Sequence, residues 1–130
     1  MGSQVIRKND RLFDAFFLAL IQNFKENEDT LLLGRQAGER FTDHFCITNK
    51  IFNKINIDDL GQYIKLFIVQ YISNMNVHLD NNSIVFNKDS PIFSTPKTIQ
   101  FICGILQTTF DKLCTSPCNI QVIDNYTLSF

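Results

Sequence analysis

The sequence predicts an α+β domain. Three helices, a β-hairpin, a fourth helix and a second hairpin follow one another, and the four strands join in one antiparallel sheet packed on the helices. Three observations carry this. Apolar residues recur at helical spacing through most of the first 72 positions and again from Ile99 to Leu113. The period drops to two in "MNVHL" and "SIVFN", which flank the turn-forming "DNN". It drops to two again in the closing "CNIQVIDNYTLSF". With 130 residues, 45% hydrophobic and 19% charged, the chain can bury one core and is too apolar for disorder. A single domain over 1–130 is expected, with a polar, flexible start over 1–9.

Asn9 or Asp10 is the expected cap of the first helix, which runs to about Lys25. Leu12, Phe13, Phe16, Phe17, Leu20, Ile21 and Phe24 keep helical spacing, and Ala15, Leu18 and Ala19 widen the stripe beyond one face. A helix this apolar is expected to be buried on more than one side. In so small a chain, a second protein is the natural source of the additional cover.

"KENEDT" connects to a second helix capped by Asp29 or Thr30, with Leu31, Leu32, Leu33, Ala37, Phe41 and Phe45 as its apolar residues. Gly34 and Gly38 fall one turn apart on it. Each glycine costs about 1 kcal/mol against alanine in a helix interior, so a closely approaching neighbour backbone is expected to compensate. Residues 46–57 read as a connection with a short turn of helix. Asp58 or Asp59 opens the third helix, which carries Leu60, Ile64, Phe67, Ile68, Tyr71 and Ile72 on one face and Gly61 early on.

In the first hairpin Val77, Leu79, Ile84 and Phe86 are expected on the inner face, with His78 facing solvent. "KDSPIFSTPK" is a loop. Thr95 followed by Pro96 starts the fourth helix, because proline suits the first helical position. Its apolar face is Ile99, Ile102, Cys103, Leu106, Phe110 and Leu113. The last two runs, Cys118 to Ile123 and Tyr126 to Phe130, meet at Asp124–Asn125, which tolerate the positive φ of a two-residue hairpin turn.

Several functions are disfavoured by what the chain lacks. A formal net charge of -1, with no cluster of like charges, argues against nucleic-acid binding, which needs converging lysines and arginines. The 13 phenylalanines, beside abundant asparagine, isoleucine and lysine, read as A/T-rich codon usage and core. The longest apolar run, Ala15 to Ile21, is far short of the roughly 20 residues of a membrane span. No secretory leader is visible, and "MGSQVI" departs from a myristoylation signal at Ile6. Cys46, Cys103, Cys114 and Cys118 form no C-x-x-C pair, so reduced thiols without metal are expected, and with them a cytosolic setting. The Asn125-Tyr126-Thr127 sequon is then a chance match. There is no phosphate-cradling glycine loop, no G-x-S-x-G and no H-E-x-x-H. A non-enzymatic protein without cofactors is expected.

Two stretches and the element order resemble a known family. "GRQAGERFTDHF" is similar to the second-helix signature of the small core subunits of TRAPP, the transport protein particle, with Gly34, Gly38, Arg40 and Phe41 in the matching places. "FICGILQTTFDKL" resembles the family's second signature through Cys103, Gly104, Ile105 and Leu106, with Thr108 where that signature has its second glycine. "SIVFNKDSPI" resembles the strand and loop before it. The resemblance covers about residues 10–130.

It implies a subunit of the Bet type that pairs with itself or with another small TRAPP-like subunit through the first helix. Phe13, Phe16, Phe17, Leu20, Ile21 and Phe24 then form the dimer interface, and Gly34, Gly38 and Gly104 serve helix packing. Rows of such dimers tether vesicles between endoplasmic reticulum and Golgi, and the assembly promotes nucleotide exchange on a Rab-type GTPase. The expected location is cytoplasmic, peripheral at cis-Golgi membranes. One branch of the family carries an acylated cysteine. Cys46 follows the signature by fewer residues than that cysteine, and Lys54 lies nearer the aligned position. This spacing argues against lipidation of Cys46, the one candidate position, and for a thiol buried at a helix end. A second functional reading is a sensor domain for a small molecule or lipid, of the related vinyl-reductase-like fold.

Overall fold

The computed structural model describes residues 15–25, 29–72, 77–80 and 82–130. Its architecture is α+β, as the periodicities predict. We label the helix described over residues 15–22 α1; α2 is Thr30–Thr48, α3 Ile57–Tyr71 and α4 Pro96–Leu113. The strands are β1 His78–Asp80, β2 Ser83–Val85, β3 Gln121–Asp124 and β4 Thr127–Ser129. They form one antiparallel sheet in the order β1-β2-β4-β3, so the two hairpins meet along β2 and β4.

The centre of the molecule is α4. Thr95 caps it, its Oγ1 accepting from the Lys97 N–H at 3.4 Å, and Pro96 takes the first position as expected. Every residue from Phe101 to Phe110 is buried. The sequence pattern places an apolar stripe on this helix, yet the structure buries it all round. One side receives α2, and the sheet and the short 3₁₀ turn Pro91–Ser94 reach it as well. That turn lies in the predicted loop and buries Ile92 and Phe93.

The buried stripe of α2 is Thr30, Gly34, Gly38, Thr42 and Phe45, while Leu31 and Leu32 are exposed. This corrects the leucine-based face. Small residues win the inward side because α2 and α4 touch backbone to backbone. A Cβ on Gly34 would strike the Phe101 carbonyl and lie 3.1 Å from the Cα of Gly104; one on Gly104 would strike the Leu31 carbonyl. A Cβ on Gly38 would lie 2.7 Å from the Ile105 oxygen. Hydroxyls reinforce the crossing. Thr108 Oγ1 donates to the Arg35 carbonyl at 3.0 Å. Thr109 Oγ1 donates to the Ile105 carbonyl at 2.9 Å, so Thr42 Oγ1 is the donor in the buried 2.9 Å bond to Thr109.

Several boundaries differ from expectation. Asp29 caps α2 by accepting from the Leu32 N–H, but the helix continues through Cys46 to Thr48. It ends in a Schellman pattern: the Ile51 N–H reaches the Cys46 carbonyl at 2.9 Å and the Lys50 N–H reaches that of Ile47 at 3.4 Å. Lys50 is left-handed, with φ 56°. A side chain there costs roughly 1–2 kcal/mol, which is why glycine usually holds this place. Asn56 precedes α3, so Asp58 and Asp59 lie inside its first turn, where they face the positive end of the helix dipole. α1 ends at residue 22; Asn23 Nδ2 donates to the Ala19 carbonyl at 2.8 Å and terminates it before the predicted Lys25. The expected cap at Asn9 or Asp10 and the start over 1–9 lie outside the described residues.

In the sheet, Val77, Ile84, Phe86 and Leu128 are buried and Leu79 is partly buried, while His78 is exposed. The second hairpin turns at Asn125–Tyr126, one residue later than predicted, and Lys50 is the sole non-glycine residue with positive φ among those described. Asp124 Oδ1 accepts from the Tyr126 N–H at 3.0 Å, closing the turn with a side chain, and a bulge between Val122 and Asp124 takes up the register. β3 starts at Gln121 rather than Cys118 because Gln107 holds the preceding segment. Its Nε2 donates to the Cys118 carbonyl at 2.8 Å and its Oε1 accepts from the Ile120 N–H at 2.8 Å.

Substitutions at the glycines separate packing from propensity. Gly34→Ala and Gly104→Ala are each expected to destabilise the fold by about 3 kcal/mol or more, the upper end of overpacking costs. At Gly61 the nearest atom to an added Cβ is Leu79 Cδ1 at 3.9 Å. Gly61→Ala is therefore expected to gain up to about 1 kcal/mol of helix propensity. Urea denaturation of the three variants checks both signs.

Candidate functional site

α1 divides its apolar stripe between two tasks. Phe17 and Ile21 point inward, 7% and 0% exposed. The Phe17 ring lies 5.8 Å from that of Phe101 on α4, and the Phe24 ring meets Phe101 edge-on at 5.2 Å. Lys97 Nζ donates to the Phe24 carbonyl at 2.9 Å and fastens the chain just past the end of α1 to the start of α4. On the other side Phe16 is 69% exposed and Leu20 48%. They are four residues apart and share a face, flanked by exposed Ala15 and Ala19.

These two side chains border an apolar groove of about 260 Å³. Ala37 and Phe41 of α2 and Tyr71 of α3 form its opposite side, with Phe17 and Phe101 beneath. Phe41 stacks on Tyr71 with ring centroids 5.4 Å apart and planes 18° from parallel, and Phe67 packs against Tyr71 at 5.0 Å. At the Tyr71 edge its hydroxyl shares a hydrogen bond with Nδ1 of exposed His44. Burial and the nearby Cys46 push the Tyr71 phenol above its ordinary 10.0, so it stays neutral at physiological pH. A hydrophobic patch rimmed by one hydrogen-bonded pair suits a protein partner better than a charged ligand.

The expected interface is thus split by the fold. Phe16 and Leu20 are open to a partner. Phe17 and Phe24 are committed to Phe101 of α4, and Ile21 is buried. Phe13 lies outside the described residues. Phe41 and Tyr71 belong to helical stripes read as core, and nothing in periodicity marks them as groove walls. Phe101 lies one residue ahead of Ile102 and off the expected face of α4.

A second hollow, of about 270 Å³, opens between α3 and the sheet beside Leu60, Ile64, Phe110 and Phe130, with Asp58 and Asn82 also lining it. It is below the roughly 300–1,000 Å³ of drug-sized ligand sites. Four free cysteines lie among the described residues. Cys103 is buried, its Sγ donating to the Ile120 carbonyl at 3.6 Å. Cys46 is half-buried in the last turn of α2. Burial and Asp43 push its thiol up, partly offset by Lys112, so its thiolate fraction at neutral pH falls below that of a free cysteine.

No protein-family model matches the chain, and no curated protein or solved structure matches it significantly.

Burial raises all four thiols above the ordinary 9.0. A raised folded value favours the protonated form, so this stability is fully present below the unfolded value and is lost as pH climbs through the folded ones. Thermal melts across pH 7 to 10.5 are expected to show a falling midpoint only above about pH 9. Cys103→Ala should lessen that fall. Alkylation in native buffer is expected to label Cys46 and Cys118 before Cys103 and Cys114.

Proposed function

We propose that this chain is a non-enzymatic subunit of a TRAPP-like assembly, built into it through the outward face of α1. The observation that carries this reading is the exposed pair Phe16 and Leu20 beside an apolar groove, on a helix whose inner face is already occupied. The glycine pair of α2 supports it too, since the residues that carry the family resemblance are those at the α2–α4 crossing. In this reading a helix of a second small subunit, identical or related, covers Phe16 and Leu20. The paired subunits belong to a tether between endoplasmic reticulum and Golgi membranes, and exchange on a Rab-type GTPase is a property of the whole assembly. None of the described helices is long and apolar enough to cross a membrane, which fits a peripheral place on those membranes.

The test separates docking from folding. Phe16→Asp places a charge on an exposed position, so the monomer is expected to keep its melting temperature. Burying a phenylalanine is worth roughly 1.5–3 kcal/mol, and a symmetric contact contains it twice. Self-association measured by sedimentation is therefore expected to weaken at least a hundredfold. Ile21→Asp, by contrast, is expected to unfold the chain. If the chain pairs with a different subunit, the same loss should appear when Phe16→Asp is used to capture partners from its own cells. Unchanged association in both settings overturns the proposal.

A further inference from the structure

The corner between α2 and α3 holds the two most exposed large apolar side chains among the described residues. Phe52 is 81% exposed and Ile47 is 73% exposed. Between and beside them stand Lys50 and Lys54, both exposed. The one ion pair among the described residues joins Lys112 to Asp43, so neither corner lysine is in such a pair. Lys50, Phe52 and Lys54 line one open depression, together with Asp59 of the first turn of α3. Asp59 faces the positive end of that helix, which partly offsets its charge.

The backbone explains how this arrangement is held. Lys50 occupies the left-handed position of the Schellman ending of α2, where glycine would be unstrained. The sharp turn sends the chain outward, and the bridge between Ile55 and Cys114 returns it to the body: the Ile55 N–H donates to the Leu113 carbonyl and the Thr115 N–H to that of Ile55 at 3.1 Å. A loop pinned at both ends thus presents an aromatic side chain between two lysines.

We propose that this corner is a shallow contact site for an anionic lipid surface. Phe52 enters the boundary between headgroups and acyl chains, while Lys50 and Lys54, which line the same depression, remain at the level of the phosphates. The charge decides the occupant: a protein groove would take Phe52 equally well, but Lys50 and Lys54 against the single carboxylate of Asp59 leave the depression net positive, which complements a negative surface. Two lysines and one exposed aromatic side chain give a weak, reversible contact. The corner shares no residue with the α1 groove, so it stands independently of the subunit reading.

The chain contains no tryptophan, so Phe52→Trp in the full protein supplies a single fluorescent reporter at the exposed position. Titration with phosphatidylcholine vesicles containing phosphatidylserine is expected to shift its emission to the blue and to make it quenchable by brominated acyl chains. Phosphatidylcholine alone should leave it unchanged. Adding Lys50→Gly or Lys54→Gln to the reporter protein is expected to weaken the apparent affinity about fivefold each, the equivalent of about 1 kcal/mol per lysine. Lys50→Gly should not lower the melting temperature, because it relieves the left-handed position; this keeps lost binding distinct from lost folding. No shift at saturating anionic vesicles overturns the proposal, and so does an equal shift on neutral ones. A blue shift without lipid that grows with protein concentration also overturns it, marking the corner as a contact between protein copies.

Discussion

The contact on which the rest of this molecule depends is a meeting of two bare backbones. Gly34 and Gly104 face one another where α2 crosses α4, with Gly38 one turn along against Ile105. At this separation no side chain fits on either helix, so the crossing is fixed by glycine and by hydroxyl bonds from Thr42, Thr108 and Thr109. Close packing of this kind gains dispersion contacts between whole turns of helix. Because α2 lies so near, the middle of α4 has no open side, and a helix buried all round becomes the post against which α1 and the sheet are placed.

That placement has consequences for the surface. With its small residues turned inward, α2 sends Leu31 and Leu32 outward and brings Ala37 and Phe41 to the edge of the α1 groove. α1 then rests on Phe101, held at its end by Lys97, and cannot also bury Phe16 and Leu20. The exposed face is therefore a result of how the core is built. A monomer that buried Phe16 would have to give up the Phe17 and Ile21 contacts, since the two pairs lie on different sides of one helix.

Much of this was legible from the sequence where local chemistry decides. The Thr95–Pro96 start of α4, the α2 cap as one of Asp29 or Thr30, both hairpins and the inward Val77, Leu79, Ile84 and Phe86 follow from period and capping alone. The glycine contact was legible as a need for a close neighbour, and the repeated spacing on α2 located it. What was not legible is tertiary. Apolar content assigns Leu31 and Leu32 to the core, whereas the identity of the neighbouring helix puts glycine and threonine there. Gln107 holds the 118–120 segment through contacts that no periodicity encodes, and its signal is only that of a lone amide in an apolar helix. The division of α1 into an inner and an outer face depends likewise on where α4 lies. Asp124 closes the last turn with its side chain, so the positive φ expected at that turn is not required.

In the proposed assembly the outward face of α1 is completed by a second chain. Amide hydrogen exchange on the tagged chain, first alone and then in whatever assembly it enters in its own cells, tests this most directly. The amides of α4 should exchange slowest in both states. Residues 15–24, together with the groove wall around Ala37 and Phe41, are expected to gain protection on assembly. Gains elsewhere with residues 15–24 unchanged would contradict it.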